Sequence, residues 1–257
     1  MTKVIAIINQ KGGVGKTTTA VTLGAGLANA GKRVLLVDLD AQGSVAISLG
    51  VDKGDGLYRL LFDGKRKAIT PSGRPRLDLI VGDKTTVEAK QRLTGMNFSE
   101  AQLKAALGKL PGYDVIVLDA APGVDILQVS ALVACTHFII PVALDHLAVV
   151  GAGDALATTA SLKDVGRFGG TFLGVLPTMW ERTTTESHEQ LKILAGQYGR
   201  LVWPPIPRDT HAREAPAYGQ TLWEYAPKTR AIVGARLGEH EIGGYQRVLD
   251  RLLDEVV

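Results

Sequence analysis

Cysteine is almost missing from this sequence: Cys135 stands alone among 257 residues. One thiol cannot build a disulfide framework, and no Cys/His spacing of the metal-binding kind accompanies it. Long apolar runs are missing too. The longest are strand-sized, which excludes a membrane-spanning helix. No internal repeat and no low-complexity tract is present, and no leader-like segment precedes the first strand, so the expected location is cytoplasmic. An excess of one charge is also lacking. The 29 Lys and Arg against 26 Asp and Glu leave +3, a balance that tolerates contact with nucleic acid without arguing for it. What remains is an ordinary soluble composition, 46% hydrophobic and 21% charged. Its length suits one large α/β domain over 1–257 and does not demand a second.

The chain is organised around Asn9 to Thr19, Asn-Gln-Lys-Gly-Gly-Val-Gly-Lys-Thr-Thr-Thr. The apolar run Val4 to Ile8 before it reads as a buried strand, and Ala20 to Ala28 after it reads as a helix. Strand, glycine-rich loop and helix are the context a phosphate-binding P-loop requires. Gly12, Gly13 and Gly15 let backbone N–H groups turn toward an anion with no Cβ in the way. A helix opening near Lys16 adds partial positive charge at the same point. The expected nucleotide contacts are Lys11, Gly12, Gly13, Val14, Gly15, Lys16, Thr17 and Thr18. Lys16 is expected on the β/γ-phosphates and the Thr17 hydroxyl on Mg²⁺. The plain motif has glycine where this chain has Gln10, and a second lysine, Lys11, opens the loop. Lys11 is too close to the loop to cradle its own phosphates simply, and is well placed to reach across a dimer interface.

Further strand-like runs end in chemistry. Val34 to Asp38 leads into the polar turn Asp38-Leu39-Asp40-Ala41-Gln42-Gly43-Ser44, and Tyr113 to Asp119 is four apolar residues closed by a carboxylate. Parallel strands deliver functional groups at their carboxyl ends, so Asp38, Asp40 and Asp119 are expected to face the loop. Of Asp38 and Asp40, one is expected to hold the Mg²⁺ shell and the other to orient a water; Asp119 is expected on the metal. Leu77 to Gly82, Phe138 to Val142 (with 145–153 at its mouth) and Thr171 to Thr178 read as core strands. Ser99 to Leu110 has helical spacing with Ser99 as the N-cap. Residues 152–165 read as a helix, and 239–256 as a helix striped by Ile242, Tyr245, Val248, Leu249, Leu252 and Leu253. The fold expected is α/β: a mostly parallel twisted sheet with helices on both faces. The segment from Gly50 to Pro75 reads as turn-rich, and its basic cluster (Lys65, Arg66, Lys67, with Arg74 and Arg76) reads either as a DNA contact or as a solvated loop.

Lys11 to Thr18 resembles the deviant Walker A loop of the ParA/MinD family of ATPases, which includes the nitrogenase iron protein and arsenite-pump ATPases. The resemblance extends over most of the chain. It implies that Lys11 completes the partner subunit's site and that Asp40 positions the attacking water, in a turn the family writes Asp-x-Asp-Pro-Gln-Gly. Ala41 replaces the proline of that turn. After Asp119 the family has Pro-Pro, and this chain has Ala120-Ala121-Pro122-Gly123. Thr178-Met179-Trp180-Glu181-Arg182 and the residues to Leu194 resemble a variable loop and its helix, with Met179 and Trp180 either covering a nucleobase or filling core. Pro205 to Asp209 resembles the family's Ile-Pro-Arg-Asn loop against adenine, which puts Pro207 and Arg208 on the nucleotide. Glu214-Ala215-Pro216 matches a family Glu-Ala-Pro, and Arg213 stands two places from the family's arginine. His211 reads as a surface or interface residue.

The resemblance is nearest to the small, Soj-like ParA type. It implies Mg²⁺-dependent ATP hydrolysis, a homodimer when ATP is bound, and nonspecific DNA binding. It further implies a ParB-like centromere-binding partner, nucleoid association and segregation of a plasmid or chromosome. Candidate phosphate contacts are Arg182, Lys192, Arg208, Arg213, Lys228, Arg230 and Arg236, in a stretch with eight basic and five acidic residues over 182–236. The alternatives are positioning of a protein cargo and a MinD-like membrane cycle. The membrane cycle is disfavoured by the three acids beside one arginine in 250–257, which suit a helix packed on the domain better than one on an anionic bilayer. A reductase like the nitrogenase iron protein needs two cluster cysteines and is set aside.

Overall fold

The computed structural model describes residues 1–63, 68–110, 112–145, 148–164, 166–237 and 240–257. In chain order the first elements are β1 (Lys3–Ile7), α1 (Lys16–Asn29), β2 (Val34–Asp38), α2 (Ser44–Leu49), α3 (Gly56–Phe62), β3 (Thr70–Arg74), β4 (Leu77–Ile80), α4 (Thr85–Thr94) and α5 (Gln102–Leu107). They continue with β5 (Val115–Asp119), α6 (Ile126–Ala134), β6 (His137–Ala143), α7 (Ala148–Asp164), β7 (Thr171–Thr178) and α8 (Thr185–Tyr198). The last are α9 (His211–Glu214), α10 (Leu222–Tyr225), α11 (Arg230–Val233), β8 (Ala235–Leu237), β9 (His240–Ile242) and α12 (Tyr245–Glu255).

Seven strands form one sheet in the order β3-β4-β2-β5-β1-β6-β7. All pairs are parallel except β3 with β4 at the edge. The central strands β1, β2 and β5 are apolar between their ends (Val4–Ile7, Val34–Val37, Val115–Leu118) because each side of the sheet carries its own core. Val4 and Ala6 of β1 join Leu35, Val37, Ile116 and Leu118 on one face. Ile5 and Ile7 join Val34, Leu36, Val115 and Val117 on the other. A period of two, read on a sheet covered twice, leaves no position for a polar residue. Leu103 of α5, Leu127 and Ala131 of α6, and Ala152 and Ala155 of α7 cover the first face. Leu23 and Leu27 of α1, with Val248 and Leu252 of α12, cover the second. Each such leucine contributes about 1.5–3 kcal/mol by burial. Gly26 lets these layers close: a Cβ there would sit 2.9 Å from Leu249 Cδ2 and 3.2 Å from the Trp223 ring. Trp223 also donates its indole N–H to Thr22 O at 2.8 Å.

Several expectations need correction. Ser99 does not cap a helix; it opens a 3₁₀ turn over Ser99–Ala101 with no side-chain cap, after Phe98 in the left-handed region at φ 55. The final helix begins at Tyr245, because Gly243 and Gly244 at positive φ break the chain after the hairpin β8–β9, which contains Ile242. Turn-rich composition hid α3 and the edge strand β3 within Gly50 to Pro75. Lys65, Arg66 and Lys67, and Val165 of the 152–165 helix, lie outside the described residues. Arg74 is a clamp with no solvated role: it pairs with Glu224 at 2.9 Å and donates to Leu49 O at 3.0 Å and Gly219 O at 2.7 Å. It ties the sheet edge to α2 and to the segment before α10. Arg76 is exposed.

Candidate nucleotide-binding site

The loop between β1 and α1 turns through Gly13 at φ 74 and Gly15 at φ 87, where an L side chain would be strained. No side chain caps α1 and its first turn holds no acid, so the leading N–H groups of that helix are left to an anion. Four struts fix the loop. Asn9, fully buried, donates from Nδ2 to Pro141 O at 2.7 Å and accepts from Lys11 N at 2.9 Å. Gln10 stands where the plain motif has glycine, and its side chain reaches α7, donating to Asp154 O at 3.1 Å and Thr158 Oγ1 at 3.0 Å. The Gln10 carbonyl accepts from Gly123 N at 2.8 Å, tying the loop to the segment after β5. Thr178, at the end of β7, donates from Oγ1 to Val14 O at 2.9 Å. Lys16 folds over the loop and donates to Lys11 O at 2.8 Å. Lys11 Nζ pairs with Asp145 of the same chain at 2.6 Å.

The carboxyl ends of β2 and β5 bring the acids together. Asp38 and Asp119 are in register on adjacent strands and both are buried. Asp38 accepts from Asp40 N and Val45 N, each at 3.0 Å, so it braces the turn and the first turn of α2. Burial, with Asp40 nearby, raises its carboxyl to about 7 despite these bonds. Asp119 is pushed well above the carboxylate range by burial and by Asp38, against the pull of the Thr17 hydroxyl and the Lys16 ammonium. Burial lowers Lys16, which Asp119 and Asp40 counter. Among the described residues neither carboxylate oxygen of Asp119 has a hydrogen-bond partner. Two crowded acids, of which Asp119 has orphaned oxygens, beside a hydroxyl fit a divalent cation. Among the described residues no group of three or more His, Cys, Asp or Glu forms a ready metal cage. Mg²⁺ is ordinarily held by one or two carboxylates together with substrate phosphates, so a smaller set suffices.

Above these acids lies a cavity of about 310 Å³ lined by Gly12, Gly13, Lys16, Thr17, Asp40 and Met179, among others. A second cavity of about 200 Å³ adjoins it through Gly15, Thr18 and Met179, with Pro207, Arg208 and Arg213 on its far wall. The paired alternatives for Met179 and Trp180 split. Trp180 is 3% exposed and belongs to the core, and Met179 is 40% exposed and lines both cavities. The two adjoining cavities are lined by Gly12, Gly13, Gly15, Lys16, Thr17, Thr18, Asp40, Pro207 and Arg208; Lys11 and the buried Val14 belong to the loop but line neither cavity, and Asp38 and Asp119 are buried at the strand ends.

A family model described as an AAA domain matches residues 2–167. The chain is 37% identical over 229 residues to the chromosome-partitioning ATPase Soj of Thermus thermophilus, covering 87% of this chain and 88% of that one. The chain belongs to the ParA/MinD family of ATPases. Among solved structures, that of Cyanothece McdA in complex with ATP superposes with a TM-score of 0.80 at 25% identity, over 88% of this chain and 90% of that chain. A cobyrinic acid a,c-diamide synthase from Mycobacterium smegmatis with bound ADP and magnesium superposes with a TM-score of 0.75 at 34% identity, over 89% and 96%.

For a ParA/MinD-family ATPase the basic residues beyond the cleft matter next. Arg182, Arg208 and Arg230 converge on a third cavity of about 350 Å³, which shares Pro207, Arg208 and Asp209 with the second cavity. Arg208 pairs with Glu181. Arg182 donates to Arg236 O at 3.4 Å and Arg230 to Arg208 O at 3.3 Å, long bonds to carbonyls, and among the described residues neither forms an ion pair. Arg213, Lys192, Lys228 and Arg236 are exposed, outside this cavity. His211 packs on Asp209 at 2.8 Å, in a structural network with Thr229. The C-terminal helix is packed on the domain against α1: Tyr245, Val248, Leu249 and Leu252 of its apolar stripe are buried, and the Tyr245 hydroxyl meets Thr19 Oγ1 at 2.9 Å inside the core. No helix among the described residues is long and apolar enough to cross a membrane. Sequence reasoning assigned no role to Asn9, and placed Asp145 at the mouth of one strand and Thr178 at the end of another without a contact to the loop. Asn9 stood inside the quoted loop motif, but nothing in the sequence marked Asp145 or Thr178 as loop struts.

Proposed function

We propose that this chain, folded as one domain over 1–257, is a Mg²⁺-dependent ATP hydrolase of the small ParA type. It forms a face-to-face homodimer when ATP is bound. It binds DNA without sequence preference and segregates a chromosome or plasmid with a ParB-like centromere-binding partner at the nucleoid. The observation that carries the reading is the convergence at neighbouring strand ends of a glycine loop, the half-exposed Asp40 and the orphaned Asp119 carboxylate. The likeness to a partitioning ATPase and to a structure holding ADP and magnesium supports it. Thr17, Asp38 and Asp119 would hold Mg²⁺, which supplies neutralisation of phosphate charge when bound. Loop N–H groups and Lys16 hold the phosphates, Asp40 orients the attacking water, and Lys11 completes the pocket of the partner. Pro207 and Arg208 wall the base side. Arg182, Arg208 and Arg230 form the centre of the DNA-facing surface, with Lys192, Arg213, Lys228 and Arg236 around it.

The test is phosphate release with and without Mg²⁺, together with a DNA gel shift in ADP, ATP and a nonhydrolysable analogue. Retardation with triphosphate alone is expected. Retardation under no condition would set the partition reading aside in favour of cargo positioning.

A further inference from the structure

We propose that Thr178 is a positioning residue for the phosphate loop, acting from the base side of the cleft. The inference rests on reading the glycine loop as a nucleotide site. Thr178 ends β7, which is separated from β1 by β6. Its hydroxyl nevertheless reaches the loop apex and donates to Val14 O at 2.9 Å, a contact across 164 residues of sequence. Both residues are buried, Val14 at 1% and Thr178 at 3% exposure.

The consequence follows from the planarity of the peptide bond. In a trans peptide the carbonyl and the next N–H point in opposite directions and cannot turn separately. Holding the Val14 carbonyl against Thr178 therefore aims the Gly15 N–H the other way. Gly15 lines the phosphate-side cavity, and at φ 87 it holds a backbone conformation that glycine adopts without strain. Thr178 itself is well anchored. Its carbonyl accepts from Leu144 N at 3.1 Å, and the flanking Pro177 O and Trp180 N bond Ile206 at 2.8 and 2.9 Å. The fit is close on the other side too, since a Cβ on Gly15 would lie 3.7 Å from the Thr178 methyl. Thr178 also lines the base-side cavity with Met179, so one side chain touches the base pocket and sets the phosphate loop. Removing the hydroxyl leaves a buried carbonyl unpaired and releases the peptide plane.

The experiment measures ADP affinity by calorimetry and steady-state ATP hydrolysis in wild type, Thr178→Val, Thr178→Ala and Thr178→Ser. Val keeps the shape without the donor, Ala removes the donor without risk of crowding, and Ser restores it. The expected result is a roughly tenfold weaker ADP affinity and raised KM in Val and Ala, with kcat within about threefold. Ser is expected to recover wild-type affinity within about twofold, which a merely structural role for the side chain would not produce. ADP affinity in Val and Ala equal to wild type overturns the inference alone. Failure of wild type to bind ADP overturns the nucleotide reading, and this inference with it.

Discussion

At the scale of single residues, Lys11 is the side chain whose structural and chemical roles separate most cleanly. Its ammonium pairs with Asp145 in the same chain, with the two side chains 33% and 42% exposed. An ion pair that open to water is worth about 0–1 kcal/mol. Lys11→Ala should therefore leave the melting temperature within about 4 °C of wild type. A lysine supplied to a neighbour's γ-phosphate is a different matter, since a cation of this kind is worth roughly 10³–10⁵ in rate. The expected outcome is a folded protein by thermal melting whose phosphate release falls at least about a thousandfold. Hydrolysis at the wild-type rate would show that the lysine does not act in trans. The glycine loop and the aspartates were legible at this scale because their chemistry fixes residue type and spacing. Asn9 and Thr178 were not, since a buried amide or hydroxyl reveals its partner only when distant strands are assembled.

Among the elements, the short helices after β7 depend on one carboxylate. Asp209 accepts from His211 N at 3.0 Å in the first turn of α9 and from Ala231 N at 3.3 Å in the first turn of α11, besides the Thr229 hydroxyl. Burial works to raise its carboxyl, but the bonds from Thr229 and His211 outweigh that and hold it below the usual carboxylate range. A depressed folded value means the stabilisation is complete above the unfolded value near 3.9 and is lost as pH falls through the folded one. Asp209→Ala should cost about 1–3 kcal/mol at pH 7, the order of one or two caps. In thermal melts from pH 7 to pH 3 the gap between wild type and variant should narrow. A gap of constant width would show that Asp209 acts by packing alone. Neither α9 nor α11 was visible beforehand, because four-residue helices carry no periodicity. They exist where a cap and tertiary contact hold them. The Thr221–Glu224 capping box of α10, itself held by Arg74, is a second case.

For the whole molecule, the proposed DNA-facing surface gives the sharpest test. Among the described residues the side chains of Arg182 and Arg230 make only long hydrogen bonds to backbone carbonyls, so each can be removed with little loss of fold. A dimer presents each arginine twice. Each lost phosphate contact lowers the slope of log affinity against log salt by about 0.9. Arg230→Ala should therefore flatten that slope by roughly 2 in the ATP-bound state, read by fluorescence anisotropy on duplex DNA of unrelated sequences. An unchanged slope would place the DNA on another face.

The sequence alone determined the buried strands, the glycine-rich loop between strand and helix, and the acids at the strand ends, because those features are enforced locally by periodicity, glycine geometry and charge. Which residues hold that loop still, which of Met179 and Trp180 meets the cleft, and that Arg74 is a clamp were decided only in three dimensions. Each depends on strands far apart in the chain arriving side by side, and a burial pattern says that a residue is inside without saying against what.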